Sequence, residues 1–188
     1  RRAAGLGKND NTPDENRYDY HNDYVDVLVV GSGIAGLSAA HAAASRGASV
    51  LLVEQDFALG GALLNRPVDS DEGKWLDQTL ASLMAMPNVK CLTRATAFGL
   101  FDGNTVGVIE RSHPMAINAK VGVPKSRFRT VRATAIVMAA GSIEQPVVFA
   151  GNDTPGVMLS SAVGAYVNRY AIQIAKNAVF TVNNDAAY

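Results

Sequence analysis

The sequence predicts an α/β fold, a parallel sheet that carries an inserted antiparallel β-meander. A β-branched run, a glycine-rich turn, an alanine-rich stretch and a second apolar run follow one another over residues 24–53, as in a strand–helix–strand unit. A second helical pattern and a third apolar run follow over residues 70–93. Two alternating segments then flank Asp102-Gly103-Asn104, which indicates a hairpin.

The beginning of the chain contains the predicted lead-in and the first βαβ unit. Residues 1–23 are polar and are predicted to be an extended lead-in or linker. Residues 24–30 are a short β-branched run that is predicted to be a strand buried on both faces, as parallel strands are. The helix predicted over 34–46 has Gly47 just beyond it, where a C-cap glycine belongs. A second strand is predicted over 48–53.

The other elements follow from the same signals of periodicity, turn residues and caps. Ser70 and the two acidic residues after it suit a helix N-terminus. In chain order we predict a loop at 55–69, a helix at 70–86, a strand at 89–93, meander strands at 96–101, 105–111 and 128–132, a buried strand at 135–139, a helix at 160–172 and a strand at 178–182.

The composition excludes several classes of function. The chain has 188 residues, with 17 basic and 17 acidic side chains, so no electrostatic attraction to nucleic acid or to an anionic membrane is expected. No stretch is apolar enough to span a bilayer. The single cysteine, Cys91, excludes an internal disulfide and a Cys-x-x-Cys redox pair within this sequence. One cysteine and three scattered histidines indicate no metal site.

The motif Gly31-Ser32-Gly33-Ile34-Ala35-Gly36 is the main functional signal. Gly31 permits the tight turn out of the strand, Gly33 lets a pyrophosphate approach the backbone, and Gly36 lets the helix pack near the strand. The helix N-terminus offers free N–H groups to anionic phosphates. The motif has a strand before it and a helix after it, which favours a Rossmann-like dinucleotide site over a ligand-free glycine turn.

Glu54 ends the second strand, 18 residues after Gly36, where a carboxylate can accept hydrogen bonds from an adenosine ribose. A carboxylate there repels a 2′-phosphate, and Gln55 and Asp56 offer no arginine to hold one. NAD or FAD is therefore favoured over NADP. The alternative is a solvated acid at the end of a strand.

Two stretches of small residues are further candidates for the same crevice. Gly60-Gly61-Ala62 can let a loop pass beneath a pyrophosphate, although a simple turn explains it equally well. Ala139-Ala140-Gly141 ends a later strand at the carboxyl edge of the sheet, where ligands bind. Core packing is an equal alternative there.

Other residues have structural explanations. His41 is expected to be a packing or surface histidine, His113 a structural residue of a loop, and Cys91 a small buried hydrophobe. The alternating Arg127, Arg129 and Arg132 are typical of a solvated strand edge. No Ser/His/Asp group or carboxylate pair argues for hydrolysis.

The motifs resemble those of flavoproteins with two dinucleotide-binding domains: GSGIAG at 31–36, Glu54, LGG at 59–61 and AAG at 139–141. Ala140 stands where that superfamily usually has threonine, so a hydroxyl contact is lost. Longer strings resemble the alpha subunits of heterotetrameric sarcosine oxidases. These are the residues at 4–8, 93–99, 144–158 and 181–188, and the resemblance covers nearly the whole chain.

The resemblance implies an oxidase that demethylates sarcosine with oxygen and tetrahydrofolate, giving glycine, methylene-tetrahydrofolate and hydrogen peroxide. NAD would bind to this chain, FMN at the alpha–beta interface and FAD to the beta subunit. The partners would be the beta, gamma and delta subunits of a cytoplasmic heterotetramer, and tetrahydrofolate would bind further along the alpha chain. No residue here would be catalytic. The expected cofactor contacts are Gly31, Ser32, Gly33, Ile34, Ala35, Gly36, Glu54, Gln55, Asp56, Gly61, Ala62, Ala97, Ala140 and Gly141.

The expected domain organisation is a linker at 1–23, a dinucleotide-binding domain at 24–175 and the truncated start of a second nucleotide-fold segment at 176–188. The chain does not begin with methionine and is expected to be a fragment.

Three alternative functions remain open. The chain can belong to the alpha subunit of a related amine or opine oxidase or of hydrogen cyanide synthase. It can be an NAD(P)H-dependent flavin reductase, although Asn183-Asn184-Asp185 stands where a second glycine motif is required. It can also be a scaffold that a bound nucleotide stabilises.

Overall fold

The computed structural model describes residues 12–112 and 123–182 of the chain. His113, the tail at 183–188 and the lead-in before Thr12 lie outside the described residues, so the predictions made for them stay predictions. The described elements are β1 (Tyr18–Val30), α1 (Ile34–Ala44), β2 (Val50–Val53), a 3₁₀ helix (Gly61–Asn65), α2 (Asp71–Met84), β3 (Val89–Leu92), β4 (Ala95–Phe101), β5 (Thr105–Arg111), β6 (Ser126–Met138), α3 (Ser160–Gly164) and a π-helical turn (Ala165–Arg169).

The six strands form one mixed sheet in the order β3-β2-β1-β6-β5-β4. β1 pairs parallel with β2 and β6, and β2 pairs parallel with β3. β4, β5 and β6 pair in an antiparallel arrangement. The predicted parallel sheet with an antiparallel meander is therefore confirmed.

Two hydrophobic clusters lie on the two sides of the parallel strands. Leu37, Ala40, Leu76 and Leu83 bring α1 and α2 against one side, together with Val29 and other buried residues. On the other side, strand residues of β1, β2 and β3 pack against strand residues of the meander, which are Ala95, Val106, Val108, Val131 and Ala133. The helices and the meander thus cover opposite faces, so the strand ends remain available at the sheet edge.

The C-cap of α1 and the N-cap of α2 are as the sequence predicts, although α1 ends at Ala44 and α2 at Met84, each two residues before the predicted end. Gly47, at φ +86°, donates its N–H to the Ala44 carbonyl at 2.9 Å, and Ala48 donates to the Ala43 carbonyl at 3.3 Å. This pair of bonds is a Schellman C-cap with glycine in the left-handed conformation. At the other helix, the Ser70 hydroxyl accepts the Gly73 N–H at 3.1 Å and caps α2.

β1 is longer than predicted, because residues 18–23 are strand and not lead-in. They pair in parallel with 126–131 of β6, and the charges on the two strands match. Arg129, for example, donates to the Asp23 carboxylate at 2.8 Å. A polar segment therefore becomes a strand through pairing that is distant in the sequence.

β6 is one continuous strand of 13 residues, whereas the sequence predicted two strands, at 128–132 and 135–139. Its first half pairs with β5 and its whole length pairs with β1. β6 therefore lies inside the sheet, and the predicted solvated edge at Arg127, Arg129 and Arg132 is wrong. Arg132 is exposed, but Arg129 is only 6% exposed.

The predicted helix at 160–172 is shorter, since α3 ends at Gly164 and a π-helical turn ends at Arg169. The predicted strand at 178–182 is wrong: these residues are irregular, and Val179 is 96% exposed. An apolar run forms a strand only where a partner strand accepts its hydrogen bonds. The loop predicted at 55–69 contains the 3₁₀ helix.

Candidate dinucleotide site

The glycine motif forms the turn between β1 and α1, and close packing fixes its first and last glycines. Gly31 has φ +98°, and a Cβ added to it would lie 2.2 Å from the Ala139 carbonyl oxygen. A Cβ added to Gly36 would lie 1.9 Å from the Gly31 carbonyl oxygen. The first strand, the first helix and the end of β6 therefore meet at a point where no side chain fits.

Gly33 differs from both of these glycines because nothing lies within 4 Å of a Cβ added to it. Among the described residues, no side chain caps α1 at this position. The first hydrogen bond of the helix runs from the Leu37 N–H to the Gly33 carbonyl at 2.9 Å, so the amides before Leu37 have no acceptor within the helix. The N-terminus of α1 thus presents donors and a partial positive charge to an open space.

Glu54 lies directly behind this loop and is only 7% exposed. Its Oε2 accepts the Ser32 N–H at 2.9 Å and the Ser32 hydroxyl at 2.5 Å. Its Oε1 accepts the Asp56 N–H at 2.9 Å. The carboxylate therefore orients the glycine loop, and Oε1 retains lone-pair capacity for a further donor such as a ribose hydroxyl.

Ser32 connects the glycine loop to the Gly60–Gly61 turn. Its buried hydroxyl donates to Glu54 and accepts the Gly60 N–H at 3.0 Å. Gly61 lies against the same loop, since a Cβ added to it would be 2.9 Å from the Gly33 Cα. The two glycine-rich segments of the sequence are therefore parts of one crevice.

We expect Ser32→Ala to reduce the free energy of unfolding by about 1–3 kcal/mol, because it leaves the buried Gly60 N–H without an acceptor and removes a charge-assisted hydrogen bond to Glu54. Urea denaturation would measure the loss. Ser38→Ala, on the exposed side of α1, is the control and should change stability by less than about 0.5 kcal/mol. Equal effects of the two substitutions would contradict the bridging role of Ser32.

The remaining candidates occupy different parts of this region. The exposed candidates near the crevice are Ile34 (59% exposed), Ala35, Ala62, Ala140 and Gly141. The strand end before the last two is held in place, since the Ala139 N–H donates to the Val30 carbonyl at 2.8 Å. Ala97 lies on β4, whose first residue donates its N–H to the Glu54 carbonyl at 2.8 Å. Which of these residues contact a cofactor stays a prediction.

Gln55 is exposed, whereas the Asp56 carboxylate forms an ion pair with Arg169. The guanidinium donates from Nη1 to Oδ2 at 2.8 Å and from Nη2 to Oδ1 at 2.7 Å. These hydrogen bonds hold the pKa of Asp56 below its usual range. Sequence reasoning missed Arg169, because 113 residues separate the pair and no local pattern links them.

Two other sequence candidates have structural roles. His41 Nε2 lies 3.0 Å from the Ser82 Oγ, so His41 joins α1 to α2 as a packing histidine. Cys91 packs against the helix-side cluster, and burial raises the pKa of its thiol. Within residues 12–112 and 123–182, no group of three or more His, Cys, Asp or Glu side chains is placed to hold a metal ion. Across the same ranges, no helix is long and apolar enough to cross a membrane.

Comparison with known proteins places this geometry in a family. A family model described as FAD dependent oxidoreductase matches residues 26–121. The whole chain is 39% identical to the sarcosine oxidase alpha subunit of Rhizobium meliloti (strain 1021), and 98% of it is 38% identical to that of Corynebacterium sp. (strain P-1). The chain spans 19% and 20% of these two relatives, or about a fifth of their length.

Two further comparisons are more distant. An opine oxidase subunit from Agrobacterium tumefaciens (strain Ach5) is 28% identical over 75% of this chain, which covers 28% of that protein. The crystal structure of L-proline dehydrogenase from P. horikoshii superposes with a TM-score of 0.67 at 22% identity, over 83% of this chain and 30% of the other, and shows a common fold. Because the matched model covers half of the chain, the chain belongs to the family of FAD-dependent oxidoreductases.

Proposed function

We propose that the chain binds NAD in the crevice formed by the N-terminus of α1, Glu54 and the Gly60–Gly61 turn, as part of the alpha subunit of a heterotetrameric sarcosine oxidase. The observation that carries the proposal is the open space at Gly33, beside uncapped helix amides and a buried carboxylate. Similarity to three sarcosine oxidase alpha subunits, at 34–39% identity, supports the choice of enzyme.

Each part of the crevice fits one part of a dinucleotide. The amides of Gly33 and of the first helical turn donate to the pyrophosphate, which can approach because Gly33 has no side chain. The free lone pair of Glu54 Oε1 accepts a hydrogen bond from a hydroxyl of the adenosine ribose. Bound NAD supplies hydride-transfer chemistry at its nicotinamide, and no residue of this chain is assigned a catalytic role.

The proposal for the whole enzyme rests on the family resemblance. Beta, gamma and delta subunits would complete a cytoplasmic heterotetramer, with FMN at the alpha–beta interface and FAD on the beta subunit. The reaction would be oxidative demethylation of sarcosine, and tetrahydrofolate would bind to a part of the alpha chain outside this sequence. A second candidate is the corresponding chain of an opine oxidase, which the 28% identity to two opine oxidase subunits favours. The hydrogen cyanide synthase and the flavin reductase remain weaker alternatives, since no comparison above favours them.

Identification of the bound nucleotide tests the proposal. The purified chain, and the complex that contains it, are denatured and the released nucleotide is separated by chromatography, with NAD as the expected result. The Gly33→Ala variant, whose added methyl group projects into the crevice, is the matched control and should release none. Release of FAD or NADP from this chain, or of no nucleotide from the intact complex, would contradict NAD binding. Oxidation of sarcosine by this chain alone would contradict the absence of a catalytic role.

A further inference from the structure

Two arginines from distant parts of the chain reach the loop that follows β2. The Arg169 guanidinium lies 4.6 Å from the centroid of the Phe57 ring, and the Arg94 guanidinium lies 5.5 Å from the same centroid. Both distances are within the range of cation–π attraction. The Arg94 N–H also bonds the Asp56 carbonyl at 2.7 Å, which fixes the start of the meander against this loop.

The position of this loop matters for nucleotide selection. Asp56 follows Glu54 by two residues, at the end of the second strand of the βαβ unit. In dinucleotide-binding folds, an acid at this strand end contacts the ribose 2′-hydroxyl, and a nearby arginine accommodates a 2′-phosphate. The Asp56 N–H donates to Glu54 Oε1 at 2.9 Å, so the residue that pairs with Arg169 lies next to the proposed ribose site.

The Asp56 carboxylate binds the Arg169 guanidinium in the geometry that a phosphate would otherwise use. A guanidinium binds carboxylate and phosphate oxygens through the same fork of two parallel N–H groups. Nη1 and Nη2 of Arg169 both donate to Asp56, at 2.8 and 2.7 Å. The Arg169 side chain is 15% exposed, so water screens this pair only in part.

We propose that Asp56 is a specificity-determining residue, which holds Arg169 in an ion pair and thereby excludes dinucleotides that carry a 2′-phosphate. The proposal rests on the dinucleotide site proposed above. Glu54 and Asp56 contribute two negative charges around the loop, and Arg94 and Arg169 contribute two positive charges. Removal of the Asp56 charge leaves an excess of one positive charge and a free guanidinium fork, which is the environment that a 2′-phosphate requires.

The same ion pair also attaches the segment after α3 to the crevice. The experiment must therefore distinguish this structural role from an effect on dinucleotide specificity. A second contact holds that segment, since the Asn168 amide donates to the Asn65 carbonyl at 2.9 Å. The segment therefore retains an attachment when Asp56 is replaced. A purely structural pair would change the affinity for NAD and NADP by the same factor, whereas a specificity determinant changes their ratio.

The test measures the Kd of NAD⁺ and of NADP⁺ for the full chain by calorimetry, after removal of copurified nucleotide. The wild type should prefer NAD⁺. Asp56→Asn should shift the ratio of the two Kd values toward NADP⁺ by about tenfold, the factor that one charge-assisted hydrogen bond supplies. The shift should shrink with added salt. Asp56→Ser, which removes the same charge, serves as a second variant if Asp56→Asn is unstable.

Arg169→Leu and the double variant Asp56→Asn/Arg169→Leu are the matched controls, because both break the ion pair without freeing a guanidinium. Neither should move the ratio toward NADP⁺. If both Asp56 variants show the wild-type ratio of the Kd values for NAD⁺ and NADP⁺, the ion pair is only structural and the proposal is wrong. A shift that persists in the double variant would overturn the role of Arg169. A wild type that binds neither dinucleotide would instead contradict the proposed function.

Discussion

Gly36→Ala is expected to prevent the chain from folding stably. The added Cβ would lie 1.9 Å from the Gly31 carbonyl oxygen, a distance that no side-chain rotation can relieve. Gly31 cannot move away, because its N–H bonds the Val53 carbonyl at 2.8 Å and its own Cα faces the end of β6. The cost should exceed about 4 kcal/mol, a large part of the stability of a domain. Urea denaturation followed by circular dichroism, together with the soluble yield, measures it.

Gly33→Ala is the matched control within the same motif. Gly33 has φ −68°, which alanine adopts readily, and open space surrounds its Cβ position. The variant should fold with wild-type stability, or gain up to about 1 kcal/mol from reduced freedom of the unfolded chain. It should nevertheless lose dinucleotide binding, since the methyl group occupies the approach of the pyrophosphate. A stable Gly36→Ala variant, or a Gly33→Ala variant that binds as tightly as the wild type, would contradict this division of roles.

The parts of the fold that local sequence specifies could be predicted well. The hairpin turn at 102–104, the Ser70 cap and Gly47 depend on residues within a few positions of one another. The parallel strands could be predicted because their apolar runs alternate with helical patterns. The glycine motif predicted the turn between β1 and α1, since glycine alone fits the contacts at Gly31 and Gly36.

The sequence could not predict features that depend on contacts across the sheet. Residues 18–23 are polar, and only the pairing with β6 makes them strand. The two segments of β6 are joined because β1 lies along their whole length. Arg169 reaches Asp56 only after the segment that follows α3 has folded back onto the crevice. In each case, the partner residue is separated by more than 100 positions and carries no local signal.

The alternating arginines predicted a solvated edge and could not predict that Arg129 is buried. Arg129 lies at the centre of a charge network on the meander side of the sheet. Its Nη1 donates to Asp23 on β1 at 2.8 Å, and its Nε donates to Glu110 on β5 at 2.7 Å. The three side chains are 7%, 18% and 17% exposed. Burial opposes ionisation of Asp23, but the hydrogen bonds and positive charges of Arg129 and Lys90 together outweigh it and keep the pKa of this carboxyl below its usual value.

Arg129→Met should therefore destabilise the chain by about 2–4 kcal/mol at pH 7, because it leaves two largely buried carboxylates without their main partner. Arg132→Met, on the same strand but exposed, is the control and should change the free energy of unfolding by less than about 0.5 kcal/mol. Urea denaturation of the three proteins measures both effects. Similar losses for the two variants would show that the network contributes no more than a surface charge.

The pH dependence distinguishes loss of the ion pairs from loss of packing. The folded-state pKa of Asp23 is lowered, so the stability from its pairing is present above the unfolded value of about 4 and is lost as the pH falls through the folded value. In Arg129→Met, Asp23 keeps only the Lys90 contact at 3.3 Å, so burial, which raises its pKa, is opposed less and Asp23 takes up a proton at a higher pH than in the wild type. The stability difference between wild type and variant should thus narrow from pH 7 to pH 4. A difference that stays constant over this range would assign the cost to lost packing of the arginine side chain, and the network would then have no electrostatic role in joining β1, β5 and β6.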